Sequence, residues 1–268
     1  MLISIITINY NDKEGLENTI NSVKNQDFKD FEHIIIDGNS TDGSKAVIEQ
    51  YKNNFSYSVS EPDSGIYNAM NKGIKQAKGK YLLFLNSGDS LYSSATLSAV
   101  KDVISNDFDI YYGNVLRIYE NNIKKVKSYN NTLSFSFFVD SALAHQTVFI
   151  KRELFSKFFY YNEDYKILAD WDFLIYAICK QNVSYKHLGI IVANYNMNGI
   201  SSQPESKTIM ETERKLTYQK YFPLFYEDYK ELFESRKILG SQKIKRFLKL
   251  QDRMFTRKLS GLFIKILR

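Results

Sequence analysis

The stretch LISIITINYNDKEGLENTINSVKNQDFKDFEHIIIDGNS, residues 2–40, holds a complete strand–helix–strand unit. Leu2–Ile8 is apolar and β-branched, broken only by hydroxyl residues, which reads as a strand covered on both faces. Lys13–Asn25 sets Leu16, Ile20 and Val23 at helical spacing, and Phe31–Ile36 is a second strand ending in the turn cluster Asp37-Gly38-Asn39-Ser40. The pattern then repeats. Asp42 can cap a helix through Ala46, Val47 and Ile48 to Tyr51, followed by a short strand around Tyr57–Ser60. A helix carrying Ile66, Ala69, Met70 and Ile74 leads to a strand at Tyr81–Leu85. Such alternation predicts right-handed crossovers and an α/β fold with a mostly parallel sheet flanked by helices. Ligands of these sheets bind at the carboxyl ends of the strands. Here those ends read Asn9-Tyr10-Asn11, Asp37-Gly38-Asn39, Glu61-Pro62-Asp63 and Asn86-Ser87-Gly88-Asp89, all polar and several acidic.

Outward from this core the pattern is less regular. Asp109–Gly113 and Val115–Tyr119 read as two strands, and a turn at Asn121-Asn122 leads to a third near Lys125–Tyr129. Ala144–Ile150 and Tyr185–Tyr195 read as strands and Asp170–Lys180 as a helix. Thr208–Tyr221, Phe225–Leu239 and Ser241–Leu267 are helical in pattern. They form a C-terminal extension, residues 201–268, to a domain of residues 1–200. With 268 residues, 44% of them hydrophobic and 25% charged, the chain can bury a sizeable core, which excludes disorder over most of its length. A single cysteine, Cys179, excludes an internal disulfide and a four-cysteine zinc site. No apolar run approaches the ~20 residues of a membrane span, and the first residues carry no basic leader, so a cytoplasmic protein is expected.

Two phosphate-binding solutions fail on inspection. The first strand-to-helix turn, Asn9-Tyr10-Asn11-Asp12, has none of the glycines of a dinucleotide fingerprint. Gly38–Lys45, GNSTDGSK, has the glycine spacing of a P-loop but reverses its lysine and serine. A divalent cation can neutralise a diphosphate instead, through one or two carboxylates with phosphate and water completing its shell. Asp89, after a buried strand in a Ser-Gly turn, suits that task; the alternative is that it caps the next helix.

The ordered series SIITINYN (residues 4–11), HIIIDGNSTDGS (33–44), EPDSGIYNAMNKGIKQAKGKYLLFLNSGD (61–89), AHQTVFIKRELF (144–155) and ILADWDF (167–173) closely resembles family 2 glycosyltransferases of the GT-A fold. More narrowly it is similar to the bacterial O-antigen and capsule branch that acts on lipid-linked acceptors, over roughly residues 1–200. The resemblance implies that Thr7, Asn9 and Asp37 hold the nucleotide base, Asp37 accepting its imide N–H. Asp63, Gly65, Asn68 and Asn71 then lie in the segment beneath the ribose and diphosphate. The family's D-x-D metal motif reads here Asn86-Ser87-Gly88-Asp89, leaving Asp89 as the carboxylate ligand for Mn²⁺ or Mg²⁺ and Asn86 as a neutral oxygen. Asp170, in Ala169-Asp170-Trp171-Asp172-Phe173, matches the catalytic base of an inverting transfer, which takes the proton of the acceptor hydroxyl. His145 and Gln146 occupy an H-Q motif and, with Trp171, stand as possible contacts for diphosphate, metal or acceptor. The alternatives are a hydrogen-bonded structural histidine and a core tryptophan. The implied reaction moves a hexose from a UDP-sugar, UDP-glucose or UDP-galactose first, to a sugar on an undecaprenyl diphosphate carrier.

Charge is placed unevenly. Residues 236–268 hold eleven Lys or Arg and one acid, Asp252, a net +10 that leaves −4 for residues 1–235. Ile244, Phe247, Leu248, Met254, Phe255, Leu259, Leu262, Phe263 and Ile266 recur between these charges at helical spacing. That pattern suits a helix lying on an anionic membrane, so a peripheral position on the inner face of the cell membrane is expected; packing on the enzyme body is the alternative. The acidic body and the absence of a binding motif argue against nucleic acid. Two other functional classes stay open. A nucleotidyltransferase would share the nucleotide-binding core, and a non-catalytic nucleotide-sugar-binding partner would account for the reduced metal motif.

Overall fold

The computed structural model describes residues 1–251 apart from 106, 198, 200–202 and 204. The chain divides into two compact units, Met1–Arg214 and Lys215–Arg268.

The first unit opens with β1 (Ile3–Asn9), α1 (Lys13–Lys24), β2 (Phe31–Asp37), α2 (Ser44–Gln50), β3 (Tyr57–Ser60), α3 (Ile66–Gln76) and β4 (Tyr81–Phe84). Then come β5 (Ser90–Leu91), α4 (Thr96–Val103), β6 (Ile110–Ile118), β7 (Lys124–Lys127), α5 (Phe135–Asp140) and β8 (Val148–Lys151). α6 (Glu153–Lys157), α7 (Ala169–Ile175) and β9 (Tyr185–Asn196) complete the sheet layer, and α8 (Ser206–Tyr221) runs into the second unit, which holds α9 (Tyr226–Leu239) and α10 (Gln242–Gln251). The strand order is β3-β2-β1-β4-β8-β6-β9-β5, with β7 paired to β6 off this path. β3, β2, β1 and β4 run parallel, as do β6 and β9, while β8, β7 and β5 are antiparallel to their neighbours. This is the mostly parallel α/β sheet that the alternation predicted.

The hydrophobic runs explain the layering. Every residue of β1 and β4 is buried, because helices cover both faces of the sheet centre. Leu16, Ile20, Ile35, Val47 and Ile48 pack α1 and α2 onto one face, and Ile3, Ile5 and Leu83, set by strand register on the side of Ile35, carry the core along that same face to Leu97, Val100 and Phe149. At α3 the approach is closest: a β-carbon at Gly73 would stand 2.4 Å from Ile6 Cγ2, so the missing side chain lets the helix settle on β1.

Several local readings change. The two strands expected across Gly113 are one, β6; the glycine does not end the strand but admits Val192 of β9, whose Cγ2 lies 2.4 Å from where a β-carbon would be, at a register shift in the pairing. The strand expected at Ala144–Ile150 begins only at Val148. Thr147 turns back to bond the Ala144 carbonyl through both its N–H and its hydroxyl, leaving His145–Thr147 as a 3₁₀ turn. Asp42 serves α2 from one residue further out than expected. Gly43 is the N-cap, while the Asp42 carboxylate accepts from Ser44 N and Oγ and from Lys13 N. The short α4, α5 and α6 carried too few turns for the periodicity to reveal. Residues 252–268, most of the expected basic helix, lie outside the described residues.

Candidate active site

The carboxyl ends of β1, β2 and β3 are tied together by Asp37. It is fully buried, and its two oxygens accept from Asn9 Nδ2 (2.7 Å), Ser40 Oγ (2.6 Å), Ser40 N (2.9 Å) and Ser60 Oγ (2.5 Å). Burial opposes its ionisation, but the Ser40, Ser60 and Asn9 hydrogen bonds outweigh it and hold the carboxyl below its ordinary pKa. Thr7, also fully buried, is paired with His33 Nε2 at 2.9 Å inside the sheet. Asn9 Oδ1 is buried without a partner. Thr7, Asn9 and Asp37 therefore form the floor of the strand ends.

Asp63 stands above that floor. Its Oδ1 accepts from Gly65 N at 3.0 Å, and its Oδ2 leans over Gly38, where a β-carbon would meet it at 2.6 Å. The Tyr10 ring, 70% exposed, flanks Gly38 on another side. Gly65 adopts φ 131° as the N-cap of α3, a conformation that favours glycine. The other two residues of this segment turn elsewhere. Asn68 and Asn71 donate to the two oxygens of Glu163, and Asn71 also exchanges hydrogen bonds with the Tyr161 backbone, so both latch α3 to the 161–163 loop.

Beyond the end of β4 a second cluster assembles residues distant in sequence. His145 Nδ1 donates to Asp170 Oδ2 at 3.2 Å, and Tyr67 Oη donates to Asp170 Oδ1 at 3.1 Å. Asn86 Nδ2 donates to His145 Nε2 at 3.3 Å, which fixes the proton of the neutral ring on Nδ1. Gln146 Nε2 donates to Asp89 Oδ2 at 2.9 Å, and Asn196 N to Asp89 Oδ1 at 3.0 Å. Asn86, Asp89, His145, Gln146 and Asp170 thus come together, carried by the β4 end, the 3₁₀ turn and α7. Asp89 does not cap α4; it holds the end of β9. Burial pushes its pKa up to about 7, against the nearby charge of His145 and its own hydrogen bonds. Burial disfavours the charged form of His145, but the Asp170 hydrogen bond and the charges of Asp170 and Asp89 raise its pKa on balance. Tyr67 is held as the neutral phenol by burial and by Asp170.

The Asn86–Asp89 turn carries oxygen donors of the kind a divalent cation takes. Asp89 supplies a carboxylate, and the Asn86 amide oxygen is buried without a partner, a neutral hard ligand in waiting. Among the described residues no group of three His, Cys, Asp or Glu could enclose a metal, so a cation here must arrive with phosphate and water in its shell.

Sequence reading missed Tyr67, Glu163, Thr19 and Asn196. Thr19 ties α1 to the turn by donating to the Asp89 carbonyl at 2.6 Å. Tyr67 lies within the 61–89 series without an assigned role, the other three lie in no quoted motif, and each acts through a contact made across 50 residues or more. Trp171 is 2% exposed, donates Nε1–H to the Phe138 carbonyl and lies under the Arg214 guanidinium. It is a core residue, with Phe138 and Arg214 against its ring, which fits the alternative of a core tryptophan. Every titratable member of the second cluster lies at the carboxyl side of the sheet, the position at which α/β enzymes work.

Residues 4–167 match the Glycosyl transferase family 2 profile. The chain belongs to glycosyltransferase family 2. A PGL/p-HBAD biosynthesis glycosyltransferase of Mycobacterium bovis is 31% identical over 221 residues, covering 78% of this chain and 83% of the relative. A Bacillus subtilis glycosyltransferase named for teichuronic acid biosynthesis, TuaG, is 37% identical over 91 residues, 33% of this chain and 36% of its own. Among solved structures, S. aureus TarS 1-349 in complex with UDP superposes with a TM-score of 0.63 at 22% identity, over 73% of this chain and 60% of that one. This glycosyltransferase therefore spans less than two thirds of the TarS fragment. The mannosyltransferase PcManGT of Pyrobaculum calidifontis, in complex with GDP-Man and Mn²⁺, covers 98% of this chain and 87% of its own at a TM-score of 0.56 and 14% identity. These likenesses establish the GT-A fold of the glycosyltransferase. No helix among the described residues is long and apolar enough to cross a membrane.

Proposed function

We propose that this glycosyltransferase moves a hexose from a UDP-sugar, UDP-glucose or UDP-galactose, to a sugar on an undecaprenyl-diphosphate-linked intermediate of cell-surface polysaccharide, with inversion at the anomeric carbon. The observation that carries the reading is the hydrogen-bonded chain from Tyr67 and Asp170 through His145 to the Asn86–Asp89 turn. On this reading Asp170 would act as the base and the Asn86–Asp89 turn would face the departing diphosphate. The UDP and UDP-GlcNAc complexes of TarS support a UDP-sugar donor, and the relatives named for PGL/p-HBAD and teichuronic acid biosynthesis support a cell-surface product.

Asp170 takes the proton from the acceptor hydroxyl as that oxygen attacks the anomeric carbon and UDP departs. Tyr67 and His145 each hold one Asp170 oxygen, fixing the carboxylate plane and leaving each oxygen a second lone pair for the incoming proton. A Mn²⁺ or Mg²⁺ ion would be held by Asp89 and Asn86, and when bound it supplies positive charge to the leaving diphosphate. Uracil would lie over Gly38 against the exposed Tyr10 face. Since Asp37 already accepts four protein donors, the imide N–H falls to the free Oδ2 of Asp63. The basic C-terminal segment would keep the enzyme at the inner membrane face, where such acceptors reside.

Asp170→Asn removes the base at almost constant shape. Transfer to the acceptor should fall by about 10²–10⁴-fold with UDP affinity unchanged. Near-normal transfer by a folded variant would overturn the assignment. A thermal-shift series with UDP-, GDP- and dTDP-sugars, each with and without Mn²⁺, tests the donor class, and stabilisation by GDP-sugars alone would refute it.

A further inference from the structure

The β6–β7 hairpin carries a group of cations that the reaction above does not use. Arg117 stands directly across the antiparallel ladder from Lys125, and Lys127 pairs with Val115 two residues along, so the three side chains share one face. Like charges placed opposite each other destabilise a sheet. No carboxylate relieves this: among the described residues none of the three cations makes an ion pair. Arg117 Nε is buried with no hydrogen-bond partner. Lys127 is half-buried, and its ammonium spends two donors on Ser141 Oγ and the Ala142 carbonyl, leaving one. Burial first, and then the Arg117 charge, push its pKa down to about 8.

Tyrosines frame the group. Lys125 lies over the Tyr119 ring at 5.7 Å and Lys127 over the Tyr129 ring at 4.9 Å, and Tyr195 of β9 stands beside Arg117 on its other flank. The face also adjoins the chemistry. Ser141 and Ala142, held by Lys127, open the segment whose Ala144 N–H donates to Tyr129 Oη, and the next residue is His145, the partner of Asp170. On the β9 side, Tyr195 precedes Asn196, whose N–H holds Asp89.

We propose that Arg117, Lys125 and Lys127 form a binding site for a phosphate group carried by a saccharide ligand. The guanidinium fork matches two phosphate oxygens, the ammonium groups add charge, and the partly exposed Tyr119 and Tyr195 would flank the attached sugar, while buried Tyr129 backs Lys127. A phosphate in this position could belong to the acceptor or to the sugar-nucleotide donor. That role rests on the transferase reading; the anion binding itself does not, and can be measured alone.

The test uses the full chain, calorimetric titration with inorganic pyrophosphate and with UDP in metal-free buffer, and thermal melting. Wild type should bind pyrophosphate with an affinity that falls as salt rises. Arg117→Gln and Lys125→Gln together should weaken pyrophosphate at least tenfold and melt no lower than wild type, because they remove repulsion without removing a hydrogen bond. UDP affinity unchanged within twofold supports the site as the acceptor's, and a parallel loss for UDP supports it as the donor's. Unchanged pyrophosphate affinity, or a melting temperature lowered in step with the lost binding, overturns the proposal. Failure of wild type to bind UDP in a parallel titration with Mn²⁺ present, while the pyrophosphate difference persists, would count against the transferase reading alone.

Discussion

Asp37 and Asp63 show how two aspartates at strand ends come to differ. Both sit in motifs that imply contact with a nucleotide, yet one is saturated by protein donors and the other keeps an oxygen free over a glycine. Asp63→Asn exchanges that acceptor for an amide able to donate. UDP binding should weaken about tenfold, in line with a lost hydrogen bond to a charged group, while CDP, which lacks the imide proton, is held equally well or better. Competition titrations of UDP against CDP read this directly, and an unchanged preference would count against Asp63 as the base reader. The motif made both residues visible; the division of labour between them depends on Ser40 and Ser60, whose hydroxyls nothing in the sequence directs at Asp37. His145 and Asp170 tell the same story, since their pairing across 25 residues follows from where the 3₁₀ turn and α7 end up.

Among the elements, α3 and β2 carry the most direct consequences. Gly73 lets α3 lie against Ile6 in a strand with no free volume beside it. Gly73→Val should cost about 1–3 kcal/mol of stability, the usual cost of overpacking, seen as a lowered urea midpoint with little change in slope. β2 carries His33, buried against Thr7 and edge-on to Phe55, and burial pushes its pKa down to about 3 from the ordinary 6.5. The folded state therefore resists a proton that the unfolded chain accepts. Stability is complete above pH 6.5 and declines as pH falls toward 3, by about 2 kcal/mol between pH 7 and pH 5. Urea melts at those two pH values should show the drop, and His33→Gln should flatten it; an equal drop in the variant would mean that other groups titrate. The elements themselves were mostly legible, because long apolar runs and helical spacings are strong signals. Gly113 misled the reading because a glycine that admits a neighbouring strand looks the same in sequence as one that ends its own.

For the whole molecule, the separation of charge sets the expectation. Deleting residues 236–268 removes a net +10 and should abolish co-sedimentation with vesicles of anionic lipid while leaving UDP binding intact. Unchanged sedimentation would refute the membrane role of this segment. The sequence by itself determined the alternating α/β order, the polar strand ends and the family, since each follows from local pattern or from motifs a few residues long. Tertiary structure decided the rest: that Asn68 and Asn71 serve the 161–163 loop, that Trp171 is covered, and that Asp170 is held by Tyr67 and His145. The physical reason is distance along the chain. Local spacing fixes which face of a helix or strand a side chain occupies, but which donor meets which acceptor depends on how separately formed elements pack, and no short window of sequence contains both partners.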